Sequence, residues 1–291
     1  MRIFLTGGTG FIGAHVLSAA LAAGHEVRAL RRSWTSVPVI PLPSQPVWCV
    51  GGMDSLKPAW FEDVDAVLHL ASAGVSPKQV SWSELVQVNV VAGLGLLKLA
   101  ADVGVRRYVV AGTSHEYGNV ARRYDAIPPD APLEPLSRYG ASKAAAFQLI
   151  RTFAIERHIE VCYGRIFSAY GEGQFEGNFW PSLRRAALSG DDFSMTSGTQ
   201  ISDFIPVAAV AAYLLEACVR PDISPGAPLV VNIGSGVPSS LLTFAQAEWE
   251  RMGATGRLLP ASLPDRTDQI ERYVPDLCGL RIPATLPTNI L

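Results

Sequence analysis

The sequence has few charged residues and few cysteines, and each shortage argues against particular classes of protein. Of its 291 residues, 17% are charged and the formal net charge is −2, so no basic surface for nucleic acid is expected. No CxxC spacing occurs, which favours reduced core thiols over a disulfide framework or a metal site. The four cysteines are Cys49, Cys162, Cys218 and Cys278.

A secretory signal and a long apolar run are also missing from the pattern. Only Ile3 to Leu5 are apolar before Thr6 and a glycine cluster. The apolar region from Phe204 to Val219 is interrupted by Pro206 and is shorter than the ~20 residues of a bilayer span. We therefore predict a cytoplasmic protein with no membrane partner.

The chain has enough apolar residues, 48%, to bury a sizeable core in one large domain or two lobes. Its first thirty residues predict a strand–turn–helix–strand unit. Arg2 to Leu5 is a short apolar strand, Gly24 ends an Ala- and Leu-rich helix, and His25 to Leu30 is the second strand.

The glycines between the first strand and the helix fit a dinucleotide-binding turn in two registers. Gly8, Gly10 and Gly13 match G-x-G-x-x-G, and Gly7 with the last two matches G-x-x-G-x-x-G. Such a turn lets the backbone approach a pyrophosphate, and the helix N-terminus offers it free N–H groups. A turn that only closes the strand–helix corner is the alternative. The predicted cofactor contacts are Gly7, Gly10, Phe11, Ile12 and Gly13.

Two arginines follow the second strand, where an enzyme that prefers NAD has an acidic residue. Arg31 and Arg32 would instead bind the 2′-phosphate of NADP through their guanidinium groups. We therefore favour NADP(H) as the cofactor, with NAD(H) as the alternative. Two solvated arginines on a surface turn would leave the choice open.

Seven motifs stand out along the chain: TGGTGFIG (6–13), HLAS (69–72), VNVVAG (88–93), YG (117–118), SRYGASK (137–143), RIFSAYGEGQ (165–174) and VVNIGSG (230–236). Together they resemble the extended short-chain dehydrogenase/reductases, in particular the enzymes that act on nucleotide-diphosphate sugars. The resemblance extends to about Leu280. It implies an α/β fold with a Rossmann-type doubly wound parallel sheet in residues 1–163. It also implies a small C-terminal α/β substrate lobe in residues 164–291, partly interleaved with the sheet, and cofactor contacts at Leu70 and Ala71.

The resemblance implies a catalytic set of Thr113, Tyr139 and Lys143. Lys143 lies one helical turn after Tyr139, on the same face. We expect the ammonium, together with an oxidised nicotinamide, to lower the phenol pKa from its usual ~10. Thr113 and Tyr139 would then polarise a substrate carbonyl while Lys143 holds the cofactor ribose. A solvated surface pair is the alternative interpretation of Tyr139 and Lys143.

Two positions after Thr113 narrow the chemistry. The similar 4,6-dehydratases carry Asp-Glu there, whereas this chain has Ser114 and His115. Without the carboxylates we do not expect dehydration. Ser114 and His115 are predicted substrate contacts, and a structural role for His115 is equally open.

The resemblance also implies substrate and subunit contacts outside the triad. Asn178 and Arg266 match family residues near the substrate diphosphate, whereas Ser168 and Ser202 replace a family Asn and Arg. An alternative for Arg266 is a solvated loop position. The helices predicted at about 82–103 and 138–157 would pair with a second copy as a four-helix bundle, giving a homodimer.

These features lead to one favoured function and two alternatives. The favoured function is NADPH-dependent reduction of a nucleotide-linked 4-keto-6-deoxyhexose. The first alternative is a nucleotide-sugar 4-epimerase with bound NAD, since both reactions use the same triad. The second is a non-catalytic NADP-sensing module.

Overall fold

A computed structural model describes residues 1–75, 80–265, 270–281 and 283. The strands are β1 (Arg2–Thr6), β2 (Glu26–Arg31), β3 (Val47–Val50), β4 (Ala66–His69), β5 (Arg107–Thr113), β6 (Glu160–Ile166), β7 (Ser168–Tyr170), β8 (Phe193–Ser194), β9 (Ile201–Pro206), β10 (Leu229–Ile233), β11 (Pro238–Ser240), β12 (Leu258–Leu259) and β13 (Arg272–Tyr273). The helices are α1 (Phe11–Ala22), α2 (Trp82–Leu85), α3 (Gly93–Asp102), α4 (Arg138–Arg157), α5 (Phe179–Ser189), α6 (Val207–Val219) and α7 (Leu241–Arg251). A π-helical segment (Val86–Ala92) joins α2 to α3, and short 3-10 helices span Pro58–Trp60, Ser114–Glu116 and Asn119–Arg123.

The large sheet has seven strands in the order β10-β6-β5-β4-β1-β2-β3. Every neighbouring pair is parallel. The chain passes from β1 to β2 on one side and returns to β4 on the other, so the strand order reverses between β1 and β4. Open parallel sheets bind ligands at such a reversal. The predicted Rossmann-type doubly wound sheet is therefore confirmed.

Helices cover both faces of this sheet, which explains why its strands are apolar on both sides. On one face, α1 and α6 contribute buried residues such as Leu17 and Leu214 to a cluster with β1, β2 and β4. On the other face, α3 and α4 bury Leu96, Leu97 and Ile150. The sheet is held rigidly between the two clusters, and its carboxyl edge remains available for a site.

A smaller layer of structure lies beyond β6. Strands β7, β9, β11 and β13 form a second sheet around β9, and β8 pairs with β12. Its core lies between α5 and α7 and includes Leu183, Met195 and Trp249. Strand β10 and helix α6, from the same half of the chain, belong to the large sheet instead, so the two parts of the chain interleave.

The four thiols are free, and three of them are core residues. Cys49, Cys162 and Cys218 are buried, whereas Cys278 is exposed. The expectation of core thiols is therefore wrong for Cys278.

The helical run from α2 to α3 differs in two ways from the sequence analysis. We predicted one helix over about 82–103, but the central seven residues are π-helical, which places Asn89 in a widened turn. The run Trp82–Asp102 is also long and apolar enough to cross a membrane by length and composition alone, which the sequence analysis overlooked. In the fold it packs on the large sheet and on α4, as core helices of soluble proteins do.

The packing of α3 gives a test of this arrangement. Leu96 has 0% exposure, so Leu96→Ala should lower the free energy of unfolding by about 2–5 kcal/mol through lost burial and a cavity. Urea unfolding followed by circular dichroism measures the change. The exposed Lys98, changed to Ala, is the control and should shift stability by less than about 0.5 kcal/mol. Equal stability of the two variants would contradict the packing.

Candidate active site

The glycine turn after β1 forms a bare backbone cradle. Gly7 has φ +78°, a conformation that favours glycine, and its carbonyl oxygen accepts the Gly10 N–H at 3.0 Å. A Cβ on Gly13 would collide with that carbonyl oxygen, and a Cβ on Gly7 would lie 2.7 Å from the Leu70 carbonyl carbon. Helix α1 begins directly after the turn, at Phe11. The free backbone and the helix N-terminus fit a dinucleotide pyrophosphate.

Thr6 and His69 fasten the end of β4 to this turn. The Thr6 hydroxyl accepts the backbone N–H groups of Leu70 and Ala71, each at 3.2 Å. The hydroxyl proton of Thr6 is therefore donated to Nδ1 of His69, 2.8 Å away. His69 consequently carries its own proton on Nε2. Leu70 and Ala71, both predicted cofactor contacts, consequently lie beside the glycine cradle.

The two arginines lie at the end of β2, in different environments. The Arg31 guanidinium carbon is 4.6 Å from the ring centroid of Trp34 and 4.7 Å from that of Trp48. Its Nε is buried and has no hydrogen-bond partner among the described residues. Arg32 is exposed, and within the described ranges neither arginine forms an ion pair. An unpaired buried donor on a cation fits an anionic group of a bound cofactor.

The predicted catalytic residues Thr113 and Tyr139 are brought together. Thr113 ends β5 and Tyr139 is the second residue of α4, which Ser137 caps by accepting the Gly140 N–H at 3.0 Å. The Tyr139 hydroxyl is within hydrogen-bonding reach of the Thr113 and Ser72 hydroxyls. A carbonyl oxygen placed here would meet the hydroxyl donors of Thr113 and Tyr139.

Lys143 is buried one turn after Tyr139 and is anchored to the sheet. Its Nζ donates to the carbonyl oxygen of Ala111 at 2.7 Å, two residues before Thr113 on β5. Only 5% of the residue is exposed, and burial lowers the pKa of Lys143, with the Glu116 carboxylate opposing that shift. The ammonium therefore rests on the strand that carries Thr113.

The pKa of Tyr139 differs from our expectation. Burial raises it to about 12; hydrogen bonds from Ser72 and Thr113 lower it, and the Glu116 carboxylate raises it. The predicted lowering by Lys143 is wrong for the protein alone, because the ammonium is directed to Ala111 and burial dominates. Tyr139 is consequently a neutral phenol near pH 7, ready to donate a proton.

Ser114 and His115 directly follow Thr113. Ser114 is buried and its carbonyl oxygen accepts a hydrogen bond from the Tyr273 hydroxyl. The His115 ring stands edge-on to the Tyr139 ring, with centroids 6.0 Å apart, and desolvation lowers its pKa. An uncharged imidazole thus lies beside the phenol, at a position where the dehydratases carry a carboxylate.

A buried ion pair beneath Thr113 was missed by the sequence analysis. Glu116 accepts the Thr113 N–H at 2.9 Å, the Tyr163 hydroxyl at 2.9 Å and Nε of Arg165 at 2.7 Å. Glu116 and Arg165 are 0% and 1% exposed. The available signal was Arg165, a charged residue in the largely apolar run VCYGRIF (161–167). The pair fixes the backbone turn that carries the catalytic threonine.

Asn89 is a second overlooked residue. From the π-helical segment its side-chain oxygen accepts the Ser72 hydroxyl at 3.0 Å and the Ala73 N–H at 2.8 Å. Its amide donates to Ser142 Oγ at 2.9 Å. Asn89 thereby links the loop after β4 to α4, and so positions Ser72 beside Tyr139.

The predicted diphosphate contacts are only partly described. Asn178 precedes α5 with an extended backbone, and its side chain makes no capping hydrogen bond. Arg266 lies outside the described residues. On α5, the helix that follows Asn178, the exposed Arg185 forms an ion pair with Glu176, with 3.4 Å between Nη1 and Oε2.

Comparison with known proteins agrees with this geometry. Residues 3–234 match the model of the NAD dependent epimerase/dehydratase family. The chain belongs to this family. The match covers more than half of the chain and includes the glycine turn, Thr113, Tyr139 and Lys143. The resemblance stated from the sequence is thus confirmed, and the family name supports an NAD(P) cofactor.

Individual members of the epimerase/dehydratase family resemble the chain over most of its length. UDP-glucuronic acid decarboxylase 1 of Danio rerio is 27% identical over 95% of this chain, which spans only 66% of that relative. A dTDP-6-deoxy-L-talose 4-dehydrogenase (NAD(P)(+)) of Kitasatospora kifunensis is 29% identical over 91% of this chain and 84% of the relative. The structure of MoeE5 in complex with UDP-glucose and NAD has a TM-score of 0.81 at 28% identity, covering 99% and 95% of the two chains.

His69 gives this family member a measurable pH dependence. Burial, with a contribution from the Lys143 charge, lowers the pKa of His69 to about 3. Because the unfolded histidine takes up its proton near pH 6.5, stability is present above that pH and is lost as the pH falls toward 3.

Replacing His69 should therefore reduce the slope of unfolding free energy against pH. Between pH 6 and 4, His69→Gln should remove up to about 1.4 kcal/mol per pH unit, measured by urea unfolding at each pH. His158→Asn changes an exposed histidine and should keep the original slope. An unchanged slope in His69→Gln would show that His69 is not held neutral.

Proposed function

We propose that the protein reduces the 4-keto group of a nucleotide-diphosphate 4-keto-6-deoxyhexose with NADPH, as a step of deoxysugar biosynthesis. The observation that carries this proposal is the approach of the Tyr139 and Thr113 hydroxyls beside Ser72, in the loop whose Leu70 backbone lies against Gly7 of the glycine cradle. A group with a raised pKa holds its proton until a developing alkoxide takes it, which suits carbonyl reduction.

The chain's own residues supply orientation and proton transfer. The Thr113 and Tyr139 hydroxyls polarise the substrate oxygen, and the phenol then donates its proton to that oxygen. A bound NADPH supplies the hydride for the carbonyl carbon. The glycine turn, Leu70 and Ala71 would hold the cofactor, and Lys143 would lie beside its ribose.

The relatives support this reaction class. The relative from Kitasatospora kifunensis is a dTDP-6-deoxy-L-talose 4-dehydrogenase (NAD(P)(+)), and dehydrogenation at C4 is the reverse of a 4-keto reduction. Ser114 and His115 in place of an acidic pair argue against dehydration, because elimination needs an acid and a base at the sugar. Because the chain spans 66% of the decarboxylase, that enzyme's activity is not transferred to it.

The preference for NADP(H) over NAD(H) is a separate part of the proposal. Arg31, with its unpaired buried Nε, and the exposed Arg32 stand where an acid would hold the ribose of NAD. Both favour a 2′-phosphate and hence NADP(H). MoeE5, by contrast, is described with NAD.

That contrast keeps a 4-epimerase with bound NAD as the second candidate. An epimerase begins with Tyr139 as a base, and burial raises its pKa and so opposes that role in the protein alone. We therefore favour the reductase.

We also propose a homodimer through α2–α3 and α4. Several apolar side chains of these helices are 44–52% exposed although the neighbouring positions are core. Leu96, Leu97, Phe147 and Ile150 of the same helices lie in the core. The exposed set is Trp82, Val86, Val91, Leu149 and Ile155.

The reaction is tested by following nicotinamide absorbance with dTDP-, CDP- and GDP-linked 4-keto-6-deoxyhexoses. We expect stoichiometric loss of NADPH with one sugar. Isomerisation of a nucleotide sugar without net NADPH loss would favour the epimerase, and bound cofactor without turnover would favour the sensing module.

In the same assay, Tyr139→Phe should lower kcat by about 10²- to 10⁴-fold, because the proton donor is removed. Affinity for NADPH, measured by isothermal titration calorimetry, should stay within about twofold of wild type by the same reasoning, since the phenol's task is proton transfer. Tyr124→Phe removes a hydroxyl outside the site and should keep activity. Full activity of Tyr139→Phe would exclude Tyr139 from the mechanism.

A further inference from the structure

The Arg31 guanidinium is held between two indole rings at the end of β2. Trp34 and Trp48 lie 4.6 and 4.7 Å from it, one on the turn after β2 and one on the edge strand β3. We propose that Trp34 and Trp48 are specificity determinants that hold Arg31 as a preformed receptor for the 2′-phosphate of adenosine. This inference rests on the proposed use of NADP(H).

The contacts with the two indole rings leave the N–H donors of Arg31 available to a bound anion. A cation attracted to the face of an aromatic ring presents its own face to that ring, whereas the N–H donors of a guanidinium lie in its plane. The indoles therefore fix the guanidinium without satisfying its donors. Nε is buried and unpartnered, a state that buried polar groups rarely keep without a ligand.

The surroundings suit a phosphate monoester. A cavity of about 450 Å³ adjoins Arg31 and is lined by residues 37–42 with Gln45 and Trp48. The described residues that line the cavity include Arg31 and no carboxylate, so a bound anion would meet positive charge without a competing negative group. The rest of the wall is largely aliphatic and proline side chains.

The cavity is also built to keep its shape. The Trp48 indole N–H donates to Gln45 Oε1 at 3.1 Å, which orients the ring. Pro38 and Pro41 restrict the backbone of the wall. At Val39 the wall packs closely on the turn after β7, because a Cβ on Gly173 would lie only 2.7 Å from Val39 Cγ2. A receptor held in this way gives up little conformational entropy when it binds its anion.

The test compares two adenosine ligands that differ only in the 2′-phosphate. Isothermal titration calorimetry on the full chain measures affinity for adenosine 2′,5′-bisphosphate and for adenosine 5′-phosphate. Wild type should prefer the bisphosphate by roughly ten- to a hundredfold, and Arg31→Gln should remove most of that preference.

The decisive variants change the rings and leave the arginine. Trp34→Leu and Trp48→Leu should each reduce the preference by about two- to fivefold, and the double variant should approach Arg31→Gln. Affinity for adenosine 5′-phosphate should stay unchanged. Trp34 is 72% exposed, so its removal leaves the fold intact, and Trp48→Phe repeats the test with less loss of packing.

Trp82→Leu is the matched control, because Trp82 also lies near an arginine, 5.8 Å from Arg138, but far along the chain from this cavity. It should keep the wild-type preference. If the tryptophan variants also keep it while Arg31→Gln loses it, the inference is overturned. Equal affinity of the wild type for the two adenosine ligands would overturn both this inference and the choice of NADP(H). The proposed reaction would still be testable in that case, by following keto-sugar reduction with NADH.

Discussion

The candidate site depends on the buried pair of Glu116 and Arg165. Two charges cost several kcal/mol each to bury unless they are paired and their remaining hydrogen-bonding groups are satisfied. Here the carboxylate also binds the Thr113 amide and the Tyr163 hydroxyl, and Arg165 donates to the Tyr117 hydroxyl and the Pro129 carbonyl. Thr113 is thus fixed by groups that cannot separate without leaving a buried charge unpaired.

The same network joins the large sheet to the C-terminal part of the chain. Tyr117 donates to Asn232 at the end of β10, at 2.6 Å. The hydroxyl of Tyr273, on β13, accepts the Gly118 N–H at 3.2 Å and donates to Ser114. Hydrogen bonds with residues of β10 and β13 therefore hold the turn that follows Thr113. The glycine cradle lies at the same carboxyl edge of the large sheet. Thr113 and the glycine cradle keep a constant relation because Thr113 ends β5 and the cradle follows β1 in one sheet.

Local patterns predicted much of this arrangement. The glycine turn, helix α4 over residues 138–157 and the doubly wound sheet follow from spacing and from the family resemblance. The pairing of Glu116 with Arg165 did not, because residues 49 positions apart meet only through the neighbouring strands β5 and β6. The raised pKa of Tyr139 depends on burial, and the Arg31 clamp needs Trp48 from β3. Such properties arise from tertiary packing, which spacing along the chain does not encode.

The central claim is that Glu116 acts on catalysis by positioning Thr113. A double-mutant cycle of Glu116→Gln and Thr113→Val, read as the single-turnover rate of keto-sugar reduction, tests it most directly. The account predicts non-additive effects, with the double variant about as slow as Thr113→Val alone. Rate losses that multiply would show that the buried carboxylate acts independently of the threonine and would contradict the account.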